Sequence, residues 1–324
     1  MRLLLVFGVV VVPVAVILAG FLYLPVKNFY PSEEITSLTF RIDEDESFHS
    51  ISKRLKQNNL IVSDYLFAQV ARFKNFDKEI KYGEFLLINS MSLMDVLKKI
   101  TSNDYLKYNI YVKNCITSWE VKKLLQQKDF LIDDLFNDVL KEGVYAPDTY
   151  RVGYNIRSSK LLELMRARQN KILRSEWTQR DLKSPIKSQS ELLILASIIE
   201  KEAATLSEMP KVASVFINRL AKGMRLQSDP TVTYGIDLGD ITKRRKIKKS
   251  DLNFFTRHNT YRISGLPVSP ICNPSQNAIK AAANPADTNL LYFVMSKSGE
   301  HVFAKTFDEH KENVSKWRKF KKEN

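Results

Sequence analysis

The sequence predicts a mixed α+β protein with an N-terminal transmembrane helix, a small strand–helix module and a larger domain with a helical core and β-hairpins. Three observations predict this class. A charge-free apolar run opens the chain, strand and helix patterns alternate up to about residue 106, and long apolar or amphipathic helices followed by a hairpin pattern fill the remainder. We therefore expect an anchor over residues 1–27, the small module over 37–106 and the larger domain over 107–324.

The apolar run from Leu3 to Val26 contains no charged residue and is long enough to cross a bilayer as a helix. Pro13 is compatible with this interpretation, because membrane helices tolerate proline where neighbouring groups satisfy the backbone. A cleaved signal peptide is the alternative, but its apolar region is usually shorter and ends in a small-x-small site, which is missing here. Charges around the run favour a short N-terminus inside and the bulk of the chain outside the cytoplasmic membrane.

The formal net charge of +14 indicates an anionic partner, such as nucleic acid, phospholipid headgroups or an acidic polymer. No nucleic-acid-binding motif is recognisable, and the predicted anchor also argues against a nucleic-acid partner. Cys115 and Cys272 are the two cysteines, too few for a disulfide framework and at a spacing that matches no zinc site. We expect them to be small, partly buried hydrophobic residues. The four histidines are scattered, so no metal or cofactor is expected.

The module over 37–106 reads as strand, acidic turn, two helices, strand and a third helix. We predict helices over Phe48–Gln57, over Ser63–Phe73 with Ser63 as cap, and over Leu93–Ile100 with Ser92 as cap, and an extended segment over Glu84–Ile88. This pattern is common in compact carbohydrate-binding modules, and a structural spacer is an equally good interpretation of the residues alone.

In the larger domain, a strand at "YNIYVKN" precedes a capping box, Thr117–Glu120, that opens a helix ending at Gln127. Further helices are predicted over Lys160–Trp177, Gln189–Thr205, Glu208–Lys222 and the proline-bounded "NPSQNAIKAAANP". Residues 224–274 read as turns with short extended pieces. A β-hairpin with Ser298-Gly299 at its turn follows, and then a second capping box, Thr306–Glu309, opens the last helix.

The apolar stretch "LLILASIIEKEA" ends in two carboxylates, Glu200 and Glu202. Positions two apart on a helix point about 200° apart, so the two side chains cannot work as a pair on one surface. Glu202 continues the apolar stripe of Leu195, Ile198 and Ile199. Partial burial there would raise its pKa, as a general acid requires, whereas Glu200 suits a solvent or salt-bridging role. The alternative is that both are surface charges at the end of a core helix.

Polar and aromatic side chains follow in "FINRLAKGMRLQSDPTVTYG". Its Asn218 and Arg219 lie near a helix end, and its amides, hydroxyls and aromatic ring suit a sugar, which presents hydroxyls at its edge and C–H groups on its faces. The residues from Gln227 to Tyr234 are predicted to lie in a proline-containing turn and strand, and the alternative is a turn that uses Asp229-Pro230 only for local hydrogen bonding. The basic run Lys243–Lys249 is either a solvated loop or a contact for an anionic polymer or headgroups.

The blocks "LASIIEKEA", "KVASVFINRL", "GMRLQSDPTVTYGI", "NTYRISGLP", "NPSQNAIKAAANP" and "LYFV" occur in order and closely resemble the YceG-like family of membrane-anchored endolytic murein transglycosylases. The match runs from about Ser190 to the C-terminus and continues more weakly to the N-terminus. It implies an anchor in the cell inner (cytoplasmic) membrane, a LysM-like module over 37–106 and a catalytic domain over 107–324 on the periplasmic or outer side.

The resemblance implies a lyase that cleaves the β-1,4 bond between N-acetylmuramic acid and N-acetylglucosamine in nascent peptidoglycan strands and leaves 1,6-anhydro-muramoyl ends. This activity would limit strand length during cell-wall synthesis, beside the cell-wall synthases. The family's catalytic glutamate, the second of its E-K-E block, falls on Glu202. Substrate contacts are expected from Asn218, Arg219, Gln227, Ser228, Asp229, Thr231, Tyr234 and Tyr261.

The chain departs from the family pattern at Asn114-Cys115, where Glu-Gly is common, at Val144 and Ala146, and in the small module at Tyr82 and the acidic turn "DEDES". The catalytic block is intact. Two alternatives stay open. One is a non-catalytic membrane-anchored scaffold that binds glycan strands, and the other is hydrolysis in which Asp229 assists Glu202.

Overall fold

The computed structural model describes residues 19–29 and 35–323. The described chain divides into two compact units. The first is built from the chain before Ile110 together with Arg151–Ile156, and the second from Ile110–Tyr150 and from Arg157 onward. Helices and small antiparallel sheets occur in one chain, which confirms the predicted mixed α+β class.

The first unit follows the predicted order of elements. They are β1 Ser37–Ile42, α1 Phe48–Gln57, α2 Asp64–Phe73, β2 Gly83–Ile88 and α3 Leu93–Thr101. β1 and β2 pair antiparallel with Phe40 opposite Phe85, and both rings are buried in the core of this unit. Ser47, Ser63 and Ser92 each accept a backbone N–H at the start of a helix, so the predicted caps at Ser63 and Ser92 are confirmed. The LysM-like character of this segment stays a prediction.

Short strands and two helices come next along the chain. They are β3 Tyr108–Tyr111, α4 Ser118–Gln126, β4 Leu131–Ile132, β5 Thr149–Val152, β6 Ile156–Arg157 and α5 Ser158–Thr178. β3, β5 and β6 each contain residues of both units. α4 opens with the predicted capping box, in which the Thr117 hydroxyl accepts from Glu120 N–H and the Glu120 carboxylate accepts from Thr117 N–H.

The remaining helices and the hairpin complete the second unit. They are α6 Gln189–Glu202, α7 Met209–Ala221, α8 Asp229–Asp237, α9 Gln276–Ala283, β7 Tyr292–Met295, β8 His301–Ala304 and α10 Phe307–Glu323. β7 and β8 form the predicted hairpin, and Gly299 at its turn has φ +83°, a conformation that favours glycine. Thr306 and Glu309 exchange the two hydrogen bonds of the predicted second capping box.

α6 lies at the centre of the core of the second unit. Every side chain from Leu192 to Ile199 is buried, and α9 and α7 pack against the helix. α6 ends at Glu202, three residues before the predicted end at Thr205, and a single 3-10 turn over Leu206–Glu208 leads into α7. The Glu202 side chain is therefore at the boundary between the packed core and the surface.

The prediction of a turn and strand over Gln227–Tyr234 is wrong, because this segment forms the start of α8. Pro230 occupies the first turn, where its fixed φ favours a helix and its missing N–H costs no hydrogen bond. The β-branched residues Thr231, Val232 and Thr233 favour a strand locally. Packing of α8 against α6 overrides that preference.

The interpretation of the two cysteines as unpaired hydrophobic residues is also wrong. Cys115 and Cys272 form a disulfide across 157 residues of sequence. Both residues are buried, more fully than the predicted partial burial, and Cys115 has φ +54°. Only the fold brings the two segments together, so their spacing carried no signal.

The predicted membrane anchor, residues 3–26, lies mostly outside the described residues. Within the described ranges, no helix combines the length and the apolar composition needed to cross a bilayer.

Candidate active site

The Glu202 carboxyl group lies at the C-terminal end of α6. Ser188 begins this helix by accepting the Glu191 N–H at 3.1 Å, and the buried run Leu192–Ile199 fixes the helix in the core. Glu202 itself is half-buried and lines an open cleft of about 520 Å³. Glu202 therefore lies on a rigid element. A group that exchanges protons with a substrate needs such support, because its position must be fixed.

Ser228 orients one oxygen of Glu202. Its hydroxyl donates to Glu202 Oε1 at 2.6 Å. The Ser228 N–H donates to Thr260 Oγ1 at 2.9 Å, and the Thr231 hydroxyl donates to the Ser228 carbonyl at 2.6 Å. Since Thr231 has one proton, the 2.8 Å contact between the two threonine hydroxyls has Thr260 as its donor. This buried network fixes Ser228 and, through it, the Glu202 carboxyl group.

Burial raises the pKa of Glu202 above the value of an ordinary glutamate. Burial is the largest influence, and the charge of Asp229 raises the pKa further. The hydrogen bond from Ser228 and the charges of His301 and Arg219 lower it. Among the described residues, no group donates to Glu202 Oε2. The side chain thus combines a raised pKa with an oxygen available to a substrate, which is the requirement for a general acid.

Asp229, the first residue of α8, supplies a second carboxylate to the cleft. Its side chain is exposed, and Oδ1 accepts the Tyr261 hydroxyl at 2.7 Å. Gln227 lies beside it at the surface with φ +50°. Four of the predicted substrate-binding residues therefore line one cleft with Glu202: Arg219, Gln227, Asp229 and Tyr261.

Arg219 is a buried cation in the same cleft. Its Nε donates to the Leu291 carbonyl at 2.7 Å, its Nη1 donates to the Leu226 carbonyl at 2.6 Å, and its guanidinium lies 5.3 Å from the centre of the Tyr292 ring. Burial lowers its pKa, but an arginine side chain stays charged in proteins. Its positive charge is therefore available to a carboxylate that forms at Glu202.

The hairpin and the last helix form the other wall of the cleft. Tyr292 of β7 stacks on His310 of α10 with 5.1 Å between ring centres and 21° between ring planes, and Phe307 lies against both. Arg318 also lines the cleft from α10. Sequence patterns did not identify this wall, because Tyr292 and His310 are about a hundred residues from Glu202 and belong to elements predicted only as a hairpin and an amphipathic helix.

The structure gives the other three predicted substrate-binding side chains interior partners. Asn218 Nδ2 donates to the carbonyls of Thr288 and Leu290 at 2.8 and 2.9 Å. Thr231 is fully buried in the network around Ser228. Tyr234 is buried, and its hydroxyl donates to Glu142 Oε2 at 3.1 Å. These contacts support the loops and helices around the cleft.

Glu200 points to a different part of the molecule. Its Oε2 accepts the N–H of Ser275 at 2.9 Å and also the Ser275 hydroxyl. Ser275 is the N-cap of α9, so Glu200 ties the start of that helix to α6. The separation of the two carboxylates that helical geometry predicts is thus present, with Glu200 in a hydrogen-bonding role inside the fold.

Part of the basic run Lys243–Lys249 is held by carboxylates. Lys243 pairs with Asp240 at 3.3 Å, Arg244 pairs with Asp237 at 2.8 Å, and Arg245 pairs with Asp251 at 2.7 Å. Arg244 and Asp229 line one hollow, and Arg244 is exposed, as are the lysines that follow it.

Comparison with known proteins places this architecture in a family. A model of the YceG-like family matches residues 40–316. Over 317 residues the chain is 29% identical to the endolytic murein transglycosylase of Bacillus subtilis (strain 168), with 87% of this chain and 85% of the relative covered. Over 321 residues it is 25% identical to the endolytic murein transglycosylase of Streptococcus pneumoniae serotype 2, with 86% of this chain but 58% of that longer protein covered.

A solved structure supports the same relationship. The 2.6 Å crystal structure of a YceG-like protein from Listeria monocytogenes aligns with a TM-score of 0.50 and 28% identity, and covers 86% of this chain and 99% of that one. Since the family model matches most of the sequence, the chain belongs to the YceG-like family.

Proposed function

We propose that this protein is an endolytic murein lytic transglycosylase. It would cleave the β-1,4 bond between N-acetylmuramic acid and N-acetylglucosamine within nascent peptidoglycan strands and leave 1,6-anhydro-muramoyl ends. The observation that carries the proposal is Glu202, a half-buried carboxyl group with a raised pKa and one undonated oxygen in an open cleft. Relatives named endolytic murein transglycosylases support the same reaction class.

In the proposed reaction, protonated Glu202 donates its proton to the glycosidic oxygen as the bond to the muramoyl C1 breaks. The C6 hydroxyl of the same muramoyl ring attacks C1, and its proton passes to the Glu202 carboxylate. The two products together contain all the atoms of the substrate, because no water enters. One carboxyl group can therefore serve as both acid and base, whereas glycoside hydrolases usually need two.

The neighbours of Glu202 suit this cycle. Between the two proton transfers Glu202 carries a negative charge, and the nearby guanidinium of Arg219 favours that state. Ser228 holds one oxygen in place throughout. The stacked rings of Tyr292 and His310 offer an apolar face to the C–H side of a sugar.

We further propose that the chain is held in the cytoplasmic membrane by residues 3–26, that residues 37–106 form a LysM-like module, and that the catalytic unit faces the periplasmic or outer side. There it would limit strand length beside the cell-wall synthases. The disulfide between Cys115 and Cys272 supports this placement, because such bonds persist in oxidising compartments and are rare in the cytosol.

Hydrolysis is a second candidate, which Asp229 favours. This carboxylate lines the same cleft, and within the described part of the chain no group donates to its Oδ2. It would activate a water molecule while Glu202 acts as the acid, and the product would then have an ordinary reducing end.

The test is digestion of uncrosslinked glycan strands by the purified protein, followed by mass analysis of the fragments. We expect anhydro-ended fragments from the wild type and none from Glu202→Gln. Glu200→Gln is the matched control, since it makes the same change two residues away and its amide oxygen can still accept from Ser275. A wild-type protein that binds the strands without cutting them would favour the non-catalytic scaffold.

A further inference from the structure

A second hollow, of about 310 Å³, shares Asp229 with the cleft around Glu202. It is lined by Lys201, Arg244, Thr233, Tyr234 and Ile271 in addition to Asp229 and Pro230. Lys201 directly precedes Glu202 in sequence, and Arg244 comes from the basic run. The two cations therefore meet next to the catalytic cleft, although they are more than forty residues apart in the chain.

Lys201 has no carboxylate of its own. None of the ion pairs among the described residues includes Lys201. The two carboxylates whose charges raise its pKa, Glu120 and Asp237, each form an ion pair with another cation. Glu120 pairs with Lys113 at 3.1 Å, and Asp237 pairs with Arg244 at 2.8 Å. Partial desolvation by the surrounding protein, together with the positive charge of Arg244, lowers the pKa of Lys201. Both Lys201 and Arg244 are exposed, so an anionic ligand that enters the hollow can reach the two cations.

Arg244 is oriented by one of its nitrogens and leaves the others available. Its Nε donates to Asp237 Oδ2, and Asp237 is itself fixed by burial and by the Gly239 N–H, which donates to Oδ1 at 2.9 Å. No acceptor for the two terminal nitrogens of Arg244 occurs in the described ranges. A guanidinium held in this way presents a planar pair of donors, the geometry that matches a carboxylate.

We propose that Lys201 and Arg244 form a subsite for a carboxylate of the stem peptide carried by the muramoyl unit in the cleft. This inference rests on the proposed function, because it assumes that a glycan strand occupies the neighbouring cleft. A glycan strand would offer neutral hydroxyls and the carboxylates of its acidic stem peptides to this hollow, and only the carboxylates are attracted by the two cations. Asp229 lines the same hollow, and its negative charge disfavours a ligand carboxylate close to it and so favours a position beside the two cations.

The subsite predicts a preference for strands that retain their peptides. The measurement is kcat/KM on matched strands with intact stem peptides and on strands freed of peptides by an amidase. We expect the wild type to prefer the peptide-bearing strands by about tenfold or more, as for a charge-assisted hydrogen bond. Arg244→Gln and Lys201→Gln should bring this ratio close to one, mainly through a higher KM, and Arg244→Lys should recover part of it.

Lys246→Gln is the matched control, because it removes one charge from the same basic run at an exposed side chain outside the hollow. It should leave the ratio unchanged. Equal use of both strands by the wild type would overturn the subsite, and so would an equal loss of preference in Lys246→Gln, which would indicate general attraction by the basic run.

Binding separates the failure of the subsite from the failure of the proposed function. If the wild type cuts neither substrate, the catalytic proposal fails, but the subsite can still be tested with a muramoyl-peptide fragment by calorimetry on Glu202→Gln. There we expect a roughly tenfold weaker Kd when Arg244→Gln is added. An unchanged Kd, or equal competition by inorganic phosphate at the same concentration, would contradict specific recognition of the peptide.

Discussion

At the scale of single residues, the acid–base behaviour of Glu202 depends on two neighbours that act in opposite directions. Ser228 donates a hydrogen bond that stabilises the carboxylate, and Asp229 places a negative charge nearby that favours the protonated form. Since the proposed reaction starts from the protonated form, we expect kcat/KM to fall as the pH rises through the pKa of Glu202. Because that pKa is raised, we expect activity to extend to a higher pH than an ordinary glutamate would permit.

Ser228→Ala should move the alkaline limb of the pH profile, where kcat/KM falls as the pH rises, to higher pH. The substitution removes a hydrogen bond that lowers the pKa of Glu202, so the carboxyl group keeps its proton longer as the pH rises. The maximal rate should also fall, because the orientation of Glu202 is lost. The profile of kcat/KM against pH checks the direction, and a limb at lower pH than in the wild type would contradict this role of Ser228.

Asp229→Asn should move the same limb to lower pH, because it removes a negative charge that raises the pKa of Glu202. If Asp229 only tunes Glu202, the substitution shifts the profile and leaves the rate at lower pH largely intact. If Asp229 activates water, the rate falls by about 10²–10⁴ at every pH, as for the loss of a general base. This variant therefore also distinguishes transglycosylation from hydrolysis.

The sequence allowed Glu202 to be separated from Glu200, because helical phase is a local property that a stripe of apolar residues reveals. It could not reveal the wall made by Tyr292 and His310, whose approach to Glu202 depends on the packing of the hairpin and α10. The hydrogen bonds of Thr231 and Asn218 to interior groups were likewise hidden, because polar side chains in a motif look the same whether they face a ligand or the protein.

At the scale of elements, the disulfide between Cys115 and Cys272 connects the loop before α4 to the segment before α9. Closing a loop of 157 residues corresponds to about 5 kcal/mol in the chain-entropy model. We expect Cys115→Ala with Cys272→Ala to lower the free energy of unfolding by about 2–5 kcal/mol, measured by urea denaturation of the catalytic unit in the full chain. Reductant should lower the midpoint of the wild type and leave that of the double variant unchanged.

The backbone at Cys115 provides an internal comparison. Because its φ is +54°, Cys115→Gly with Cys272→Ala should be more stable than the double alanine variant by about 1 kcal/mol. Equal stability of the two variants would show that the left-handed conformation at Cys115 exists only when the disulfide is formed.

Gly143 and Gly223 both have positive φ but differ in their surroundings, so we expect alanine to reduce stability by different amounts at the two positions. A Cβ at Gly143 would lie 2.5 Å from Pro270 Cγ, whereas a Cβ at Gly223 meets nothing within 4 Å. Gly223→Ala should therefore cost about 1 kcal/mol of stability for its backbone alone, and Gly143→Ala about 2–4 kcal/mol through the added overlap. Thermal unfolding checks the order, and equal losses would contradict the close packing of Gly143 on Pro270.

α8 shows where local propensity misled the sequence interpretation. The strand preference of Thr231, Val232 and Thr233 is a weak local effect, and the packing of α8 on α6 outweighs it. By contrast, Ser63, Ser92, Thr117 and Thr306 marked helix starts correctly, because a cap is formed by atoms within a few residues of each other.

At the scale of the whole molecule, the net charge of +14 predicts that substrate binding depends on salt. We expect this positive charge to attract strands with acidic stem peptides, and added salt would screen the attraction over the Debye length, which is about 8 Å at physiological ionic strength. We expect KM for peptide-bearing strands to rise severalfold between about 50 mM and 300 mM salt, with a smaller change for strands without peptides. Parallel salt series on the two substrates test this, and identical slopes would exclude the stem peptide as the charged partner.

The order of elements along the chain was predictable because apolar periodicity, caps and turn residues are all local signals. The pairing of Cys115 with Cys272 and the assembly of the cleft from α6, α8, β7 and α10 were not, because contacts between distant segments leave no mark in a single sequence. The family resemblance supplied the role of Glu202, and the structure adds the environment that suits it to that role.

The central claim is that Glu202 alone supplies the proton and that the muramoyl C6 hydroxyl, not water, completes the reaction. The most direct measurement is digestion of uncrosslinked glycan strands in ¹⁸O-labelled water, with mass spectrometry of the new ends. The account predicts anhydro ends that are lighter by one water, carry no ¹⁸O and disappear in Glu202→Gln. Reducing ends that contain ¹⁸O, or an unchanged yield from Glu202→Gln, would contradict it.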